Sequence, residues 1–244
     1  MDAKPASAPD SAFVVISTAT FSKTDGAPHS GSGNMTFNLT ALNQLMPSVE
    51  TAKGTIAINF MVSGANKKVQ VQLTNFTPDD TNPDPLPTTA NYVFARTAQV
   101  GGSFKLQQTV DLACPEQTQT PHQLATMQAV HRWMVQSSPA TFVGRSDAQA
   151  NGGQIPANQR FVGVTCADLS HPDGTAERYW LMKLEQGSTV MRSESTNNPG
   201  PASCNSAFGP VPDSASIAND YNFASVNFTD ASIVPYPNKP TDFN

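Results

Sequence analysis

Apolar and polar residues alternate along much of the first half of the chain. In NMTFNLTAL, from Asn34 to Leu42, Met35, Phe37 and Leu39 alternate with polar residues. Successive side chains of a β-strand point to opposite faces of the sheet, so this pattern predicts a half-buried strand. The segment AFVVISTATFS that precedes it is rich in β-branched and aromatic residues, which also favour a strand.

Two hairpins follow this region. GTIAINFMVSG, from Gly54 to Gly64, and KKVQVQLTNFT, from Lys67 to Thr77, both alternate and are separated by only a short link. Two such runs joined by a short polar turn predict a β-hairpin. NYVFARTAQV and GSFKLQQTVDL predict a second hairpin with its turn at Gly101-Gly102. Short strands at close spacing favour an antiparallel β-sandwich, either jelly-roll or Ig-like.

The pattern then changes between Thr120 and Ser138. This segment has no internal Gly, Pro121 suits a first helical position, and apolar residues recur at helical spacing. It therefore predicts one short α-helix near 121–137. Met127, His131 and Met134 would share a face of that helix, where two thioethers and an imidazole could bind Cu(I). A core-facing stripe has the same spacing and is the favoured interpretation.

The second half predicts further strands and then a loop-rich C-terminal segment. QRFVGVTCADL favours a strand, and Glu177 to Glu194 favours a hairpin that turns near Gly187. From Ser195 onward Pro, Asn, Ser and Gly dominate. We expect residues 1–10 to form a flexible tether and 11–244 a single β-sandwich-type domain. The alternative is a sub-boundary near 114–120.

Composition bears on location and partners. Charged residues make up 14% of the 244, against about 25% in average soluble domains, and uncharged polar residues and 20 prolines replace them. This favours an extracellular or periplasmic protein whose signal peptide is absent from the sequence, with a cytoplasmic protein as the alternative. A net charge of −5 argues against nucleic-acid binding. The apolar runs are too short for a transmembrane helix.

Three cysteines, Cys114, Cys166 and Cys204, are candidates for a disulfide. Their spacing matches no zinc motif. A bridge from Cys204 to either of the other two would fasten the loop-rich segment by closing a long loop. Three unpaired thiols are the alternative.

One acidic loop, TPDDTNPDP from Thr77 to Pro85, contains the oxygen ligands that calcium prefers. An EF-hand is excluded because Pro85 stands where its glycine would be and no glutamate follows. A different calcium site and a proline-stiffened turn both fit, and the turn is favoured. The candidate ligands are Asp79, Asp80, Asn82 and Asp84.

Catalytic sequence motifs are absent: there is no GxSxG, SxxK, HExxH or P-loop. We therefore expect an exported non-catalytic, adhesin-like surface or periplasmic module that binds a glycan or protein partner, or its own copies, without a resident cofactor. One alternative is a secreted hydrolase with its site in the C-terminal half, where Trp133, Tyr179 and Trp180 could line a sugar cleft. Another is a structural subunit of an extracellular filament or capsid. Asn-x-Thr sequons begin at Asn34, Asn38, Asn75 and Asn227.

Overall fold

Eleven consecutive strands hydrogen-bond into one antiparallel sheet in the part of the chain that the computed structural model describes. That part comprises residues 1–5, 7–24, 26, 30–46, 52–78, 86–98, 100–111, 123–135, 142–168, 177–196, 202–212 and 221–230. The strands of the sheet are β3 (Ser17–Lys23), β4 (Gly31–Asn38), β5 (Lys53–Ser63), β6 (Asn66–Thr77), β7 (Thr88–Thr97), β8 (Gly101–Asp111), β9 (Leu124–Val135), β10 (Phe142–Gly152), β11 (Gln159–Asp168), β12 (Glu177–Gln186) and β13 (Thr189–Thr196).

Each strand of this sheet pairs with the strand that precedes or follows it in sequence. The sheet is therefore a meander, without the crossovers that define jelly-roll and Ig-like connections. The mainly β, antiparallel architecture is confirmed and is consistent with a β-sandwich-like fold. The hairpins β5–β6 and β12–β13 lie where the alternating patterns predict them, and so do the two strands of β7–β8. The predicted turn at Gly101-Gly102 is wrong, because both glycines belong to β8 and pair with Thr97 and Arg96. A separate short pair joins β1 (Asp2–Ala3) to β2 (Val14–Val15).

The predicted helix near 121–137 is wrong, because residues 124–135 form strand β9. This strand is hydrogen-bonded along its length to β8 on one side and to β10 on the other. The backbone hydrogen bonds to both neighbouring strands stabilise the extended conformation, although the spacing of apolar residues also fits a helix. In the strand, Met127 and His131 lie on one face of the sheet and Met134 on the other, so the three side chains do not meet.

Two short helices flank the sheet, α1 (Leu39–Leu45) and α2 (Ala202–Phe208). The alternating pattern predicted that Leu39 continues the strand, but β4 ends at Asn38. The side-chain oxygen of Asn38 accepts a hydrogen bond from the Ala41 amide at 3.0 Å, which caps α1. The capping interaction therefore fixes the point at which strand becomes helix.

The two faces of the sheet differ sharply in chemistry. We define the charged face as the one to which Arg132 points, and the apolar face as the one to which Trp133 points. The register places Asp147, Arg145, Lys105 and other ionic residues on the charged face. Large apolar side chains from β3 to β12 occupy the apolar face.

The C-terminal part of the chain lies against the charged face. We call residues 202–212 and 221–230 the C-terminal cover. Cys204 and Phe208 of α2 pack with Val143, Tyr179 and Leu181, and a second cluster joins Phe223 and Phe228 to Val130. The core of the protein therefore lies between the charged face and this cover.

Polar contacts anchor the C-terminal cover to the sheet. Tyr179 donates its hydroxyl to the Pro212 carbonyl at 2.6 Å, and Lys105 donates to the Asn227 carbonyl at 2.7 Å. Gln70 donates to the Thr229 carbonyl at 2.8 Å. Backbone carbonyls of an irregular segment thus gain partners that regular structure would otherwise supply.

A disulfide between Cys166 on β11 and Cys204 on α2 adds a covalent link. It is one of the two bridges that the sequence allows for Cys204. Cys114 lies outside the described residues, as does the sub-boundary considered near 114–120.

Removing this link is expected to destabilise the fold. The two cysteines are 38 residues apart. A cross-link that closes a loop of that length raises the unfolding free energy by about 4 kcal/mol, and this stabilisation is lost with the disulfide. Urea denaturation of Cys166→Ala/Cys204→Ala should show this drop, and Cys114→Ala is the control. An unchanged midpoint in the double variant would contradict the pairing.

Candidate ligand-binding groove

A buried ionic cluster on the charged face organises the centre of the sheet. The Asp147 carboxylate accepts a hydrogen bond from Arg132 Nη2 at 2.6 Å and from Arg145 Nη2 at 2.6 Å. Arg145 Nε also donates to the same carboxylate at 2.9–3.0 Å. All three residues are buried. One carboxylate thus lies between two guanidinium groups on neighbouring strands β9 and β10.

The same cluster binds the C-terminal cover. Arg145 Nη1 donates to the carbonyls of Gly209 and Pro210, each at 3.1 Å. The guanidinium of Arg132 lies 4.7 Å from the centre of the Tyr221 ring and 5.6 Å from that of Phe208. Nε and Nη1 of Arg132 make no hydrogen bond. The cation–π contacts with the two rings stabilise the charge of this guanidinium in their place. Burial lowers the pKa of Arg132, against the opposing charge of Asp147, and burial raises the pKa of Tyr221.

A ladder of amide and ionic side chains continues across the charged face. Gln149 donates to Gln128, and Gln128 donates to Gln107, both at 2.7 Å. Arg160 donates to Gln149 at 3.1 Å and pairs with Glu185 at 2.7 Å. These groups satisfy one another within the sheet.

Loss of the central carboxylate should be costly. Asp147→Ala leaves two buried guanidinium groups without their counter-ion, so we expect the unfolding free energy to fall by about 3–5 kcal/mol. Glu194→Ala is the matched control, because its pair with Arg192 is exposed and contributes less than about 1 kcal/mol. Equal midpoints for the two variants in urea denaturation would contradict a structural role for the cluster.

The apolar face contains a groove with a volume of about 530 Å³. Its floor is formed where strands β10 and β11 present small side chains, among them Gly144, Ser146, Thr165 and Ala167. The wall beside β10 is the indole of Trp133 on β9. The groove exists because small residues at every second position lie next to a large aromatic one. It is lined by Phe94, Arg96, Thr97, Ala98, Gly101, His131, Arg132, Trp133, Val135, Gly144, Arg145, Ser146, Thr165 and Ala167.

The aromatic side of the groove is held by packing of ring against ring. The Phe94 and Trp133 rings are stacked with centroids 5.6 Å apart. Phe104 lies 5.5 Å from His131 and 6.2 Å from Tyr92. The indole lies directly over Gly102, where an added Cβ would come within 2.3 Å of the Trp133 ring. Glycine at 102 therefore permits the orientation of the indole.

Among the described residues that line the groove, His131 alone carries an imidazole. Burial lowers its pKa below the ordinary value of 6.5, and the negative charge of Asp147 opposes this in part. The neutral ring is therefore the form that the folded protein favours at neutral pH. A neutral imidazole provides one donor and one acceptor at the groove wall.

A pH dependence of stability follows from His131. The unfolded chain binds this proton at a higher pH than the folded protein, so the unfolding free energy should fall as pH decreases below about 6.5. The fall should be smaller in His131→Gln. Urea denaturation of both proteins over this range is the measurement. The chain's three other histidines titrate in both proteins, so only the difference reports on His131. Parallel curves would contradict the assignment.

The structure separates the residues named for a hydrolase cleft. Tyr179 is buried on the charged face, whereas Trp133 and Trp180 lie on the apolar face with β10 and β11 between them. The four candidate calcium ligands, Asp79, Asp80, Asn82 and Asp84, lie outside the described residues. Within the described residues no three His, Cys, Asp or Glu side chains are grouped as a metal site would require. None of the helices in that part is long and apolar enough to cross a membrane.

Most groove residues were not predicted from the sequence. Trp133 was named for a different site, while Phe94, Arg96, Ser146 and Thr165 were not singled out. The helical assignment of residues 124–135 hid the face that Trp133 shares with them. The available signal was the recurrence of small residues at every second position in GRSDAQA and FVGVTCA.

Comparison of the chain with protein-family models, with curated proteins and with solved structures gives no match.

Proposed function

We propose that the chain is an exported, non-catalytic module that binds a glycan in the groove of the apolar face. The observation that carries the proposal is the combination in one groove of the stacked pair Phe94 and Trp133 with polar groups at its margin. The described lining contains the guanidinium-bearing Arg96 and the hydroxyls of Ser146 and Thr165.

This combination matches the two surfaces of a sugar ring. The C–H face of a pyranose is apolar and can lie flat against an indole, while its rim presents hydroxyl groups. Binding pockets in general pair an apolar wall with a few polar groups that set orientation. Arg96 supplies donors only, whereas the Ser146 and Thr165 hydroxyls both donate and accept. The groove therefore offers partners for both roles of a sugar hydroxyl.

The lining also favours binding over hydrolysis. Most glycosidases use a pair of carboxyl groups on either side of the scissile bond. The described lining of the groove includes no Asp or Glu. On β10 and β11, Asp147 and Asp168 point to the opposite, charged face. A hydrolase site would need acids that this groove does not present.

The disulfide supports an extracellular or periplasmic setting for this activity. Disulfides persist in oxidising compartments and are rare in the cytosol of mesophiles. Cys166 and Cys204 are both buried in the cluster beneath α2. A module that is fastened in this way is suited to work outside the cytoplasm.

The proposal predicts selective loss of glycan binding on removal of one indole. The purified protein should bind members of a panel of immobilised glycans. Trp133→Ala should weaken that binding by about 10-fold or more, since it removes the ring on which the sugar lies. Trp180→Ala is the matched control, because Trp180 shares the apolar face but not the groove lining.

Two results would contradict the proposal. One is the absence of any glycan binder on the panel with the folded parent protein. The other is equal loss in Trp133→Ala and Trp180→Ala, which would place the ligand elsewhere. Circular dichroism on each variant separates loss of binding from loss of folding.

A further inference from the structure

On strands β3 to β12 the apolar face carries its basic residues in a single register row, and Arg192 on β13 lies outside that row. Hydrogen-bonded neighbours across ten strands, β3 to β12, place Lys23, Lys67, Arg96 and Arg178 in one line at the same end of the sheet. The full row is Lys23, Gly31, Val62, Lys67, Arg96, Gly102, Trp133, Gly144, Ala167 and Arg178. We call it the basic row.

The next three rows of this face form a band without ionic groups. No Asp, Glu, Lys or Arg occupies any of their positions on β3 to β12. The first of these rows holds Phe21, Gly33, Phe60, Val69, Phe94, Phe104, His131, Ser146, Thr165 and Trp180, and the other two are as apolar or more so. We call these three rows the apolar band.

The apolar band is large and reaches solvent. Rows on one face are two residues apart, so the basic row lies about 20 Å from the far edge of the band, and ten strands extend for about 43 Å across it. Phe21 is 67% exposed, Met182 57% and Phe161 42%. These exposed side chains lie toward the two ends of the band, whereas Leu106 and Ala129 in its middle are buried. Exposed apolar patches on a soluble protein often mark binding surfaces.

The charges on this face select the kind of partner. Carboxylates of the described part of β3 to β12, such as Asp147 and Glu185, point to the charged face. Although the chain has a net charge of −5, this face is therefore positive along one end. On β13 this face also carries Glu194, but that carboxylate is paired with Arg192 on the same strand. A second copy of the chain would therefore bring the same basic row and only this already paired carboxylate. An anionic amphipathic surface is complementary both to the positive charge of the basic row and to the apolar band.

We propose that the apolar face docks on an anionic lipid bilayer. The basic row lies at the level of the lipid phosphates, and the apolar band enters the boundary between headgroups and acyl chains. Each Lys or Arg near an anionic membrane surface increases the binding affinity through electrostatic attraction. Burial of apolar surface in the membrane interface increases it further. Trp133 lies in the basic row and Trp180 in the row beside it, which is the depth that tryptophan favours at membrane interfaces. This inference does not depend on the glycan proposal, although the groove opens at the same level.

The test is binding of the purified chain to vesicles of phosphatidylcholine with and without phosphatidylglycerol. Both tryptophans of the chain lie on the apolar face, so brominated acyl chains should quench its fluorescence in the anionic vesicles. Lys23→Glu/Lys67→Glu should weaken co-sedimentation with them by about 25-fold, roughly fivefold for each basic residue. Both lysines are exposed and lie outside the groove lining, so glycan binding should be kept.

A variant with the same change in net charge is the control. Lys53→Glu/Lys68→Glu alters Lys68 on the charged face and Lys53 at the far end of β5, so it should bind vesicles as the parent does. Equal loss in both variants would mean that only net charge matters and would overturn the proposal. So would vesicle binding without quenching, no binding to anionic vesicles, or tighter binding of a single-stranded oligonucleotide than of the vesicles. Loss of glycan binding in Trp133→Ala with vesicle binding retained would leave the two proposals separately supported.

Discussion

The carboxylate of Asp147 between the guanidinium groups of Arg132 and Arg145 is the interaction on which the rest of the structure depends. A buried ion pair is stable only when its partners are complete and well oriented. Here the carboxylate of Asp147 links strands β9 and β10. Arg145 also binds two carbonyls of the C-terminal cover, and Arg132 contacts one of its aromatic rings. The cluster therefore determines which face of the sheet is covered.

Side-chain alternation carries this constraint to the whole sheet. Residues next to Arg132 and Asp147 in sequence must point to the other face. His131, Trp133, Ser146 and Ala148 do so, and the register extends the same division from strand to strand. Burying charge under the C-terminal cover leaves an apolar surface on the opposite side. The groove and the apolar band are both consequences of that division.

The sequence predicts most strands of the sheet but few of the residues that form its candidate binding surfaces. Alternation identified the hairpins around Gly64 and Gly187 because their turns are short and their partners adjacent. It failed between 124 and 135, where β9 is paired on both sides and bears Arg132 and His131 among apolar residues. Its spacing there fits a helix as well as a strand, and only the ladders to β8 and β10 decide. The groove was missed for the same reason, since its residues come from several strands and meet only through register. The disulfide partner of Cys204 likewise depends on where α2 lies on β11.

The central claim is that the C-terminal cover packs on the charged face around Val143, whereas the apolar face around Met182 is exposed. Its most direct test is the rate at which hydrogen peroxide oxidises individual methionines in the folded protein, followed by mass spectrometry of peptides. Met182 lies on the apolar face and is 57% exposed, whereas Met134 packs on the charged face against the cluster around Val143. Oxidation follows accessibility, so the account predicts that Met182 is converted to its sulfoxide well before Met134. Equal rates, or faster oxidation of Met134, would contradict it.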